Sequence, residues 1–557
     1  MPPSPDTSKK TISRLLWGGT LLIGLAARLS LLATGLEYDE IWTLNNFAPL
    51  PLPQIFTDLA LPNNHPLNTL GVKLCAVLFD SPWTIRLPAL LAGIGALLLM
   101  PVIAFLWSRR RTAAWIATLV FALCRPVFLY AQQARGYSIQ LFFLMLFAAG
   151  FLLAGKFRPK RHRFLPDAMV FLGGAGSILT LPTSILYLGV ITLIGYFFCR
   201  TLPFFRLPLR KVLITGMVLA FLWYAMNYQA LQAARVWGIP VTGARQLLEA
   251  ASESMLQLNG PVVLLLALAG IMFRSRRAWP LLFFYLAAFG SAFATNAGGA
   301  RVYLPLTVPT AILAGMGAEA IFRRLRTCFH NPSWLTPALV LLLAALFAWN
   351  WHQNAASWPV RDWHRLHDEI SRMPPETLFA LDAGDGYPYS WNNYPGATED
   401  YRLRLLDRSR ERSLISFLPP GMLNGIGPDG GSRALVLEAP SVETEFRSGF
   451  SACRYRLSEL PGVPPAGSRL LVLLRPIPQE MLQACIGLIR ESYPEALLLN
   501  PWLTSVNMAD GRRYQASTLI LACDDPARLD WDTLRNRIPG AVSIYRILPA
   551  EEEKTGK

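Results

Sequence analysis

Eleven apolar runs fill the first 351 residues, and a soluble fold has no room for them. They lie near 15–36, 84–107, 113–131, 137–154, 167–181, 183–199, 211–229, 260–274, 278–295, 303–321 and 335–351. Most reach the 17 to 25 residues that cross a ~30 Å hydrocarbon core at ~1.5 Å per residue. The chain is 53% hydrophobic and 16% charged, whereas ordinary soluble domains carry roughly 25% charged residues. The apolar excess has to face lipid. The sequence therefore predicts a polytopic α-helical membrane protein.

The net charge of +16 invites a nucleic-acid reading, and its distribution argues against one. Residues 1–351 hold 29 Lys and Arg against 10 Asp and Glu, while 352–557 hold 23 against 26. The basic excess lies wholly in the apolar part, and 21 of its residues gather at 9–14, 109–111, 156–163, 200–211, 274–277 and 323–326. With eleven crossings all six clusters share one side, which the positive-inside rule makes cytoplasmic. The N-terminus is then cytoplasmic, and the remainder after residue 351 is outside. A groove for nucleic acid would show its charge on one soluble face.

Three segments need a decision. The first run follows Lys9, Lys10 and Arg14 but has no small-residue cleavage site after it, so it is a membrane helix rather than a signal peptide. Residues 167–199 are too long for one crossing and break at Thr180-Leu181-Pro182-Thr183 into two short helices. Residues 66–80 are apolar too, but a crossing there would put Arg109-Arg110-Arg111 outside; an interfacial helix in the first outer loop, 37–83, fits.

From residue 352 to 557 the polymer changes character. Strand-like runs at 378–382, 434–438, 470–474 and 517–523 alternate late in the chain with helical runs near 477–491 and 529–537. This predicts an α/β domain outside the membrane, preceded by an amphipathic stretch from Asp362 and followed by a disordered tail at 551–557. The seven Cys form no CxxC pair, so neither a zinc site nor a disulfide framework is expected.

Acids are scarce in the membrane half, and three fall together in Glu37-Tyr38-Asp39-Glu40, where the first helix emerges. One reading is a polar interface cap. The other is a carboxylate at a membrane-surface cavity serving as general base. Basic residues are equally scarce on that side. Arg135 sits in Tyr130-Ala131-Gln132-Gln133-Ala134-Arg135-Gly136-Tyr137 and Arg301 in Gly298-Gly299-Ala300-Arg301-Val302-Tyr303. One such arginine is explained by snorkelling to headgroups. Two of them, opposite an acidic loop, point to an anion, and guanidinium suits a phosphate.

The ordered set of Tyr38-Asp39-Glu40, Asn64-His65-Pro66-Leu67, Arg86-Leu87-Pro88, the Tyr130–Tyr137 stretch and Arg301-Val302-Tyr303-Leu304-Pro305 resembles the GT-C membrane glycosyltransferases of the protein O-mannosyltransferase and aminoarabinose transferase type. The resemblance covers roughly 10–350. It departs at His65-Pro66-Leu67, where that family often has His-Pro-Pro. It implies a transmembrane domain over 1–351, a soluble domain over 352–557 that inherits no role, and a bacterial inner (plasma) membrane location with that domain periplasmic. It also implies sugar transfer from a polyprenyl-phosphate carrier to a glycan, lipid or protein acceptor on the outer face.

On this reading Asp39 is the catalytic residue with Glu40 beside it, and Arg135, Arg301 and Lys73 bind the donor phosphate. Tyr38, His65, Tyr137 and Tyr303 line the substrate site, though each is equally an interface aromatic or a loop hydrogen-bonder. No metal, no cofactor and no nucleic-acid partner is expected. The rivals are a transporter or flippase for a lipid-linked anion, which would want midplane charges or broken repeated helices, and a non-catalytic envelope-assembly subunit.

Overall fold

A computed structural model describes residues 5–59 apart from 33 and 35, 63–78, 82–154, 164–197, 244–295 and 300–330, with parts of 216–234 and 338–352. In the C-terminal half it describes 378–382, 415–418, 433–438, 451–499, 505–507, 513–537 and 541–549. The chain divides into two compact units, Met1–Ala33 with Trp42–Pro359 and Thr34–Ile41 with Val360–Lys557.

The first unit is helical throughout. It opens with α1 (Pro5–Leu29) and resumes at Trp42 with a π-turn at Thr43–Phe47; the acidic helix α2 (Tyr38–Trp42), which leads into that turn, belongs up to Ile41 to the second unit. Two short helices complete the first loop, α3 (Leu52–Thr57) and α4 (Pro66–Leu78). The helix expected at 66–80 is thus present. Next come α5 (Leu87–Ser108), α6 (Arg111–Leu123), α7 (Arg125–Tyr130), α8 (Gly136–Ala154), α9 (Phe164–Thr180) and α10 (Ser184–Phe197). The break expected at 180–183 separates α9 from α10. Further on lie α11 (Tyr228–Ala234), α12 (Ala244–Phe273), the single turn α13 (Ser275–Ala278), α14 (Phe283–Thr295) and α15 (Thr307–Cys328), the last entered through a 3-10 turn at Ala300–Leu306.

Proline sets two boundaries that apolar periodicity does not show. The run read as one span at 113–131 breaks at Cys124, which is extended (φ −66°, ψ 106°) before Arg125-Pro126 restarts the helix. Pro126 lacks the amide hydrogen a continuous helix needs and fits the first turn of a new one. Likewise α12 turns sharply at Gly260 (φ 74°), immediately before Pro261, so the expected loop at 230–259 is helical from Ala244 onward.

Small residues let the helices close on one another. A Cβ on Gly317 would collide with the Leu266 carbonyl, and one on Gly270 with that of Leu313, so α12 and α15 touch backbone to backbone. Gly173 of α9 lies equally close to the backbone of α8 at Phe143 and Phe147. The outward faces are apolar instead: Leu91, Leu265, Leu286 and Phe293 are each more than 60% exposed. Among the described residues four helices are long and apolar enough to cross a membrane, Trp83–Ser108, Gly136–Ala154, Leu248–Phe273 and Ala300–Cys328, and four shorter apolar ones accompany them. This is an integral membrane protein. Eleven crossings remain an expectation of the sequence, since the runs at 211–229 and 335–351 fall largely outside the described residues.

The second unit contains a nine-stranded mixed sheet in the order β2-β1-β3-β4-β9-β5-β8-β6, with β7 paired to β8. Its strands are β1 (Leu378–Asp382), β2 (Ile415–Leu418), β3 (Arg433–Glu438), β4 (Ser451–Glu459), β5 (Ser468–Pro478), β6 (Leu497–Leu499), β7 (Ser505–Asn507), β8 (Arg513–Cys523) and β9 (Val542–Pro549). Two helices accompany the later strands, α16 (Gln479–Ser492) and α17 (Trp531–Arg537). Strand β5 alternates Leu470, Val472 and Leu474 inward, and they pack with Leu482, Ile486 and Ile489 of α16 and with Trp531. The four strands and two helices expected from sequence are present. Strands β2, β4, β6, β7 and β9 were not anticipated, being short or interrupted by polar residues. The segment opening at Asp362 and the tail at 551–557 lie outside the described residues.

Candidate functional site

The end of α1 is fixed by two of the motifs singled out in the sequence. Arg86 Nη1 donates to the carbonyls of Leu32 at 2.9 Å and Leu31 at 3.5 Å. Gln132 Nε2 donates to Ala27 O at 2.9 Å and Phe128 O at 3.1 Å, while its Oε1 accepts from the amide of Leu31. Ala27 lies in the last turn of α1, whose carbonyls have no intrahelical partner, and Leu31 and Leu32 lie just beyond its end. The chain therefore leaves α1 in one direction, and the acidic segment begins directly afterwards.

Within that segment the two carboxylates are unlike. Glu40 is fully buried, and its Oε2 accepts the Glu37 amide at 2.8 Å. Glu40 is the third residue of α2 and Glu37 precedes its first, so this is the reciprocal half of a capping box. Asp39, one residue earlier, is half-exposed. Its neighbour closes the helix start, and Asp39 faces a different direction.

His65 forms the centre of a second cluster, in the first unit. The preceding Asn64 donates from Nδ2 to Ile55 O at 2.9 Å and to Asp58 O at 2.6 Å, and accepts from Thr69 Oγ1 at 2.9 Å. Asn68 donates to Ala134 O at 2.9 Å, which ties α4 to the turn before α8. The His65 ring is 1% exposed and lies against Gly136, where a Cβ would come within 2.5 Å of Nδ1. Tyr137 meets it edge-on at 5.2 Å, Tyr130 packs on Tyr137 at 4.8 Å, and the Arg135 guanidinium stands over the Tyr137 ring at 5.1 Å. Neither imidazole nitrogen has a hydrogen-bond partner. Burial first, then the charges of Arg135 and Arg301, pull its pKa down to about 3. His65 is therefore neutral, and two arginines far apart in sequence act on one buried ring.

The local electrostatics of those arginines are unusual. Arg135 immediately precedes α8, and Arg301 lies in the 3-10 turn that leads into α15. A helix start is the positive end of the helix dipole and disfavours a cation. By contrast Arg274 follows the end of α12, and Arg323, Arg324 and Arg326 occupy the last turns of α15, where the dipole favours them.

The remaining candidates divide. Lys73 lies in α4 and its ammonium donates to Ala48 O at 2.9 Å and Leu50 O at 2.8 Å, so it staples the end of the π-turn. Tyr303 is fully buried with its hydroxyl unpartnered, one residue after Val302, whose carbonyl accepts from Tyr187 at 3.1 Å. The backbone of Tyr38 opens α2. Sequence reasoning missed Gln132 and Asn68, whose amides fasten the loops; a buried amide in a loop leaves no periodic signal. It also assigned nothing to Arg28, which is fully buried and donates to Gly93 O at 3.1 Å and Gly24 O at 2.9 Å. Among the described residues no three His, Cys, Asp or Glu side chains gather as a metal would require.

No protein-family profile and no curated protein sequence matches the chain. Solved structures similar to it include the oligosaccharyltransferase of Archaeoglobus fulgidus, at 15% identity and a TM-score of 0.40, with 69% of this chain and 60% of that one covered. ArnT from Cupriavidus metallidurans in the apo state shares 17% identity at a TM-score of 0.40, over 56% of this chain and 60% of that one. The same ArnT bound to undecaprenyl phosphate shares 13% identity at a TM-score of 0.46, over 90% and 97%. The chain thus spans about 60% of the length of the first two. These neighbours are GT-C glycosyltransferases, the kind of protein the sequence resembles. At TM-scores of this size the likeness decides neither fold nor activity.

Proposed function

We propose that the chain is an inverting glycosyltransferase that moves a sugar from a polyprenyl-phosphate carrier to an acceptor hydroxyl on the outer face of the membrane. One observation carries this reading: Arg135 and Arg301 both occupy helix starts, and the Arg135 guanidinium stands over Tyr137, which meets the buried imidazole of His65 edge-on. Helix starts and guanidinium groups together make an anion site. In an integral membrane protein the fitting anion is the phosphate of a lipid carrier.

The chemistry follows from the roles. Asp39 takes the proton of the acceptor hydroxyl, and the oxygen attacks the anomeric carbon. The bond from that carbon to the carrier phosphate breaks, and the phosphate leaves with the electron pair. The leaving group is already anionic, so it requires stabilisation by charge rather than a strong acid. The arginines supply that charge. His65, held neutral, adds none and shapes the wall. Glu40 closes the first turn of α2, and Lys73 fixes the loop that carries it.

The test uses undecaprenyl phosphate as a binding probe with the purified full-length chain in nanodiscs. It is joined to mass spectrometry of envelope glycoconjugates in a deletion strain. Arg135→Ala and Arg301→Ala should weaken probe binding, and Asp39→Asn should restore no glycoconjugate to the deletion strain while still binding the probe. Full complementation by Asp39→Asn would favour a flippase or an assembly subunit and remove the transferase reading.

A further inference from the structure

The first unit also holds an apolar cleft. Helices α5, α8, α10, α14 and α15 line it and leave it partly open. Along α8 it runs from Leu141 to Leu152, a length of ~16 Å at ~1.5 Å per residue. Its lining is hydrocarbon except for two polar side chains, Trp107 and Tyr187, and both are engaged. The Trp107 indole donates to Arg277 O at 2.8 Å, and the Tyr187 hydroxyl donates to Val302 O at 3.1 Å. Such a cleft suits an alkyl chain and rejects a polar solute.

The end of the cleft at Trp107 is strongly basic. Arg277 Nη1 donates back to Trp107 O at 3.0 Å, so that arginine is bolted to the end of α5. Arg109 caps the same helix in the left-handed conformation, φ 57°, where a side chain other than glycine or asparagine costs of order 1 kcal/mol. Burial first, then the charges of Arg109, Arg274 and Arg110, lower the Arg277 pKa. Arg274 pairs with Glu319 at 2.7 Å, and the same carboxylate lies 3.9 Å from Arg323. One carboxylate therefore serves two arginines, while Arg109, Arg110 and Arg277 crowd beside it.

We infer that this cleft holds one anionic glycerophospholipid, its acyl chain between α8 and α10 and its phosphodiester on Arg109 and Arg277. Charge complementarity selects the headgroup, since a zwitterionic lipid brings its own cation into a crowded cationic corner. The chemistry of the lining selects the chain. The headgroup site lies at the basic end of the helices, whereas Leu141, Tyr187 and Pro305 line the cleft toward Val302.

The experiment is native mass spectrometry of the full-length chain in detergent with equimolar dioleoylphosphatidylglycerol and dioleoylphosphatidylcholine. The phosphatidylglycerol adduct should dominate. Arg277→Ala and Arg109→Gly should each weaken it roughly fivefold, and together about twenty-five-fold. Ala148→Trp, which fills the cleft, should remove it. Arg109→Gly relieves the left-handed backbone, so that variant keeps its fold and reads the headgroup contact by itself. Equal adducts of the two lipids, or a phosphatidylglycerol adduct unchanged by both arginine replacements, overturns the inference. Displacement of phosphatidylglycerol by equimolar undecaprenyl phosphate also overturns it, because the cleft would then belong to the donor tail.

Discussion

Arginine does two different jobs at the two ends of the helices in the first unit. At the start of α8, Arg135 stands over Tyr137 beside the buried neutral His65, and Arg301 occupies the 3-10 turn that leads into α15. At the ends of α12 and α15 the arginines follow their helix dipoles, share Glu319, and in the case of Arg324 lie 3.8 Å over the ring of Phe273. The second arrangement is locally favourable and needs only solvent or headgroups to complete it. The first sets cations at the positive ends of helices, against the dipole. Residue type alone does not tell a topological arginine from a functional one; the helix end it occupies does.

That contrast fails most visibly if chemistry does not reside with the first group. Asp39→Asn keeps shape and removes proton affinity, so transfer should fall by ~10²–10⁴ with expression and gel-filtration behaviour unchanged. Radiolabelled sugar release from the polyprenyl carrier reads this directly. Arg135→Ala and Arg301→Ala should each lose about ten- to a hundredfold, the worth of one charge-assisted contact, with Arg→Lys recovering part of the loss. Activity within twofold of the parent for both would leave the two ends indistinguishable.

The opposite end should respond in stability and not in turnover. Arg274→Ala leaves the Glu319 carboxylate poorly paired and should cost roughly 1–3 kcal/mol in thermal or denaturant unfolding, with transfer per folded molecule unaltered. Glu40→Gln should cost about 0.5–2 kcal/mol as a weakened cap and retain far more activity than Asp39→Asn. The reverse order would move the base to Glu40.

His65 offers a test in pH. Its folded pKa lies near 3, below the ordinary 6.5. The unfolded chain therefore binds the proton first as pH falls, and the contribution of this group to stability is lost from about pH 6.5 downward to 3. His65→Gln should remove that part of the acid sensitivity. In Arg301→Ala the histidine proton resonance should titrate at a higher pH, while burial still holds it below the ordinary range.

Much of this was legible in the sequence, and the gaps have physical causes. The break between α9 and α10 and the presence of a helix over Pro66–Leu78 follow from run length and apolar content. The kinks at Cys124 and Gly260 were passed over because an apolar run hides a lost hydrogen bond, although Pro126 and Pro261 marked both. The arginines were found through the charge rule. Their convergence on His65 was not visible, because 301 and 135 are joined only by the packing of α15 against its neighbours. The unequal roles of Glu40 and Asp39 also needed the start of α2 located to the residue.

The place of Gly136 against the imidazole of His65 has a bearing on how such a chain can change over generations. The two positions occupy one volume: no larger residue enters at 136 while a ring sits at 65. Position 136 cannot enlarge alone without disturbing the turn that presents Arg135, so viable histories pass first through a smaller residue at 65. Alanine at 136 should be tolerated in a background where 65 has already become small, and the order of the two steps matters. The contact works as an evolutionary ratchet, and two positions 71 residues apart in sequence should be inherited as one.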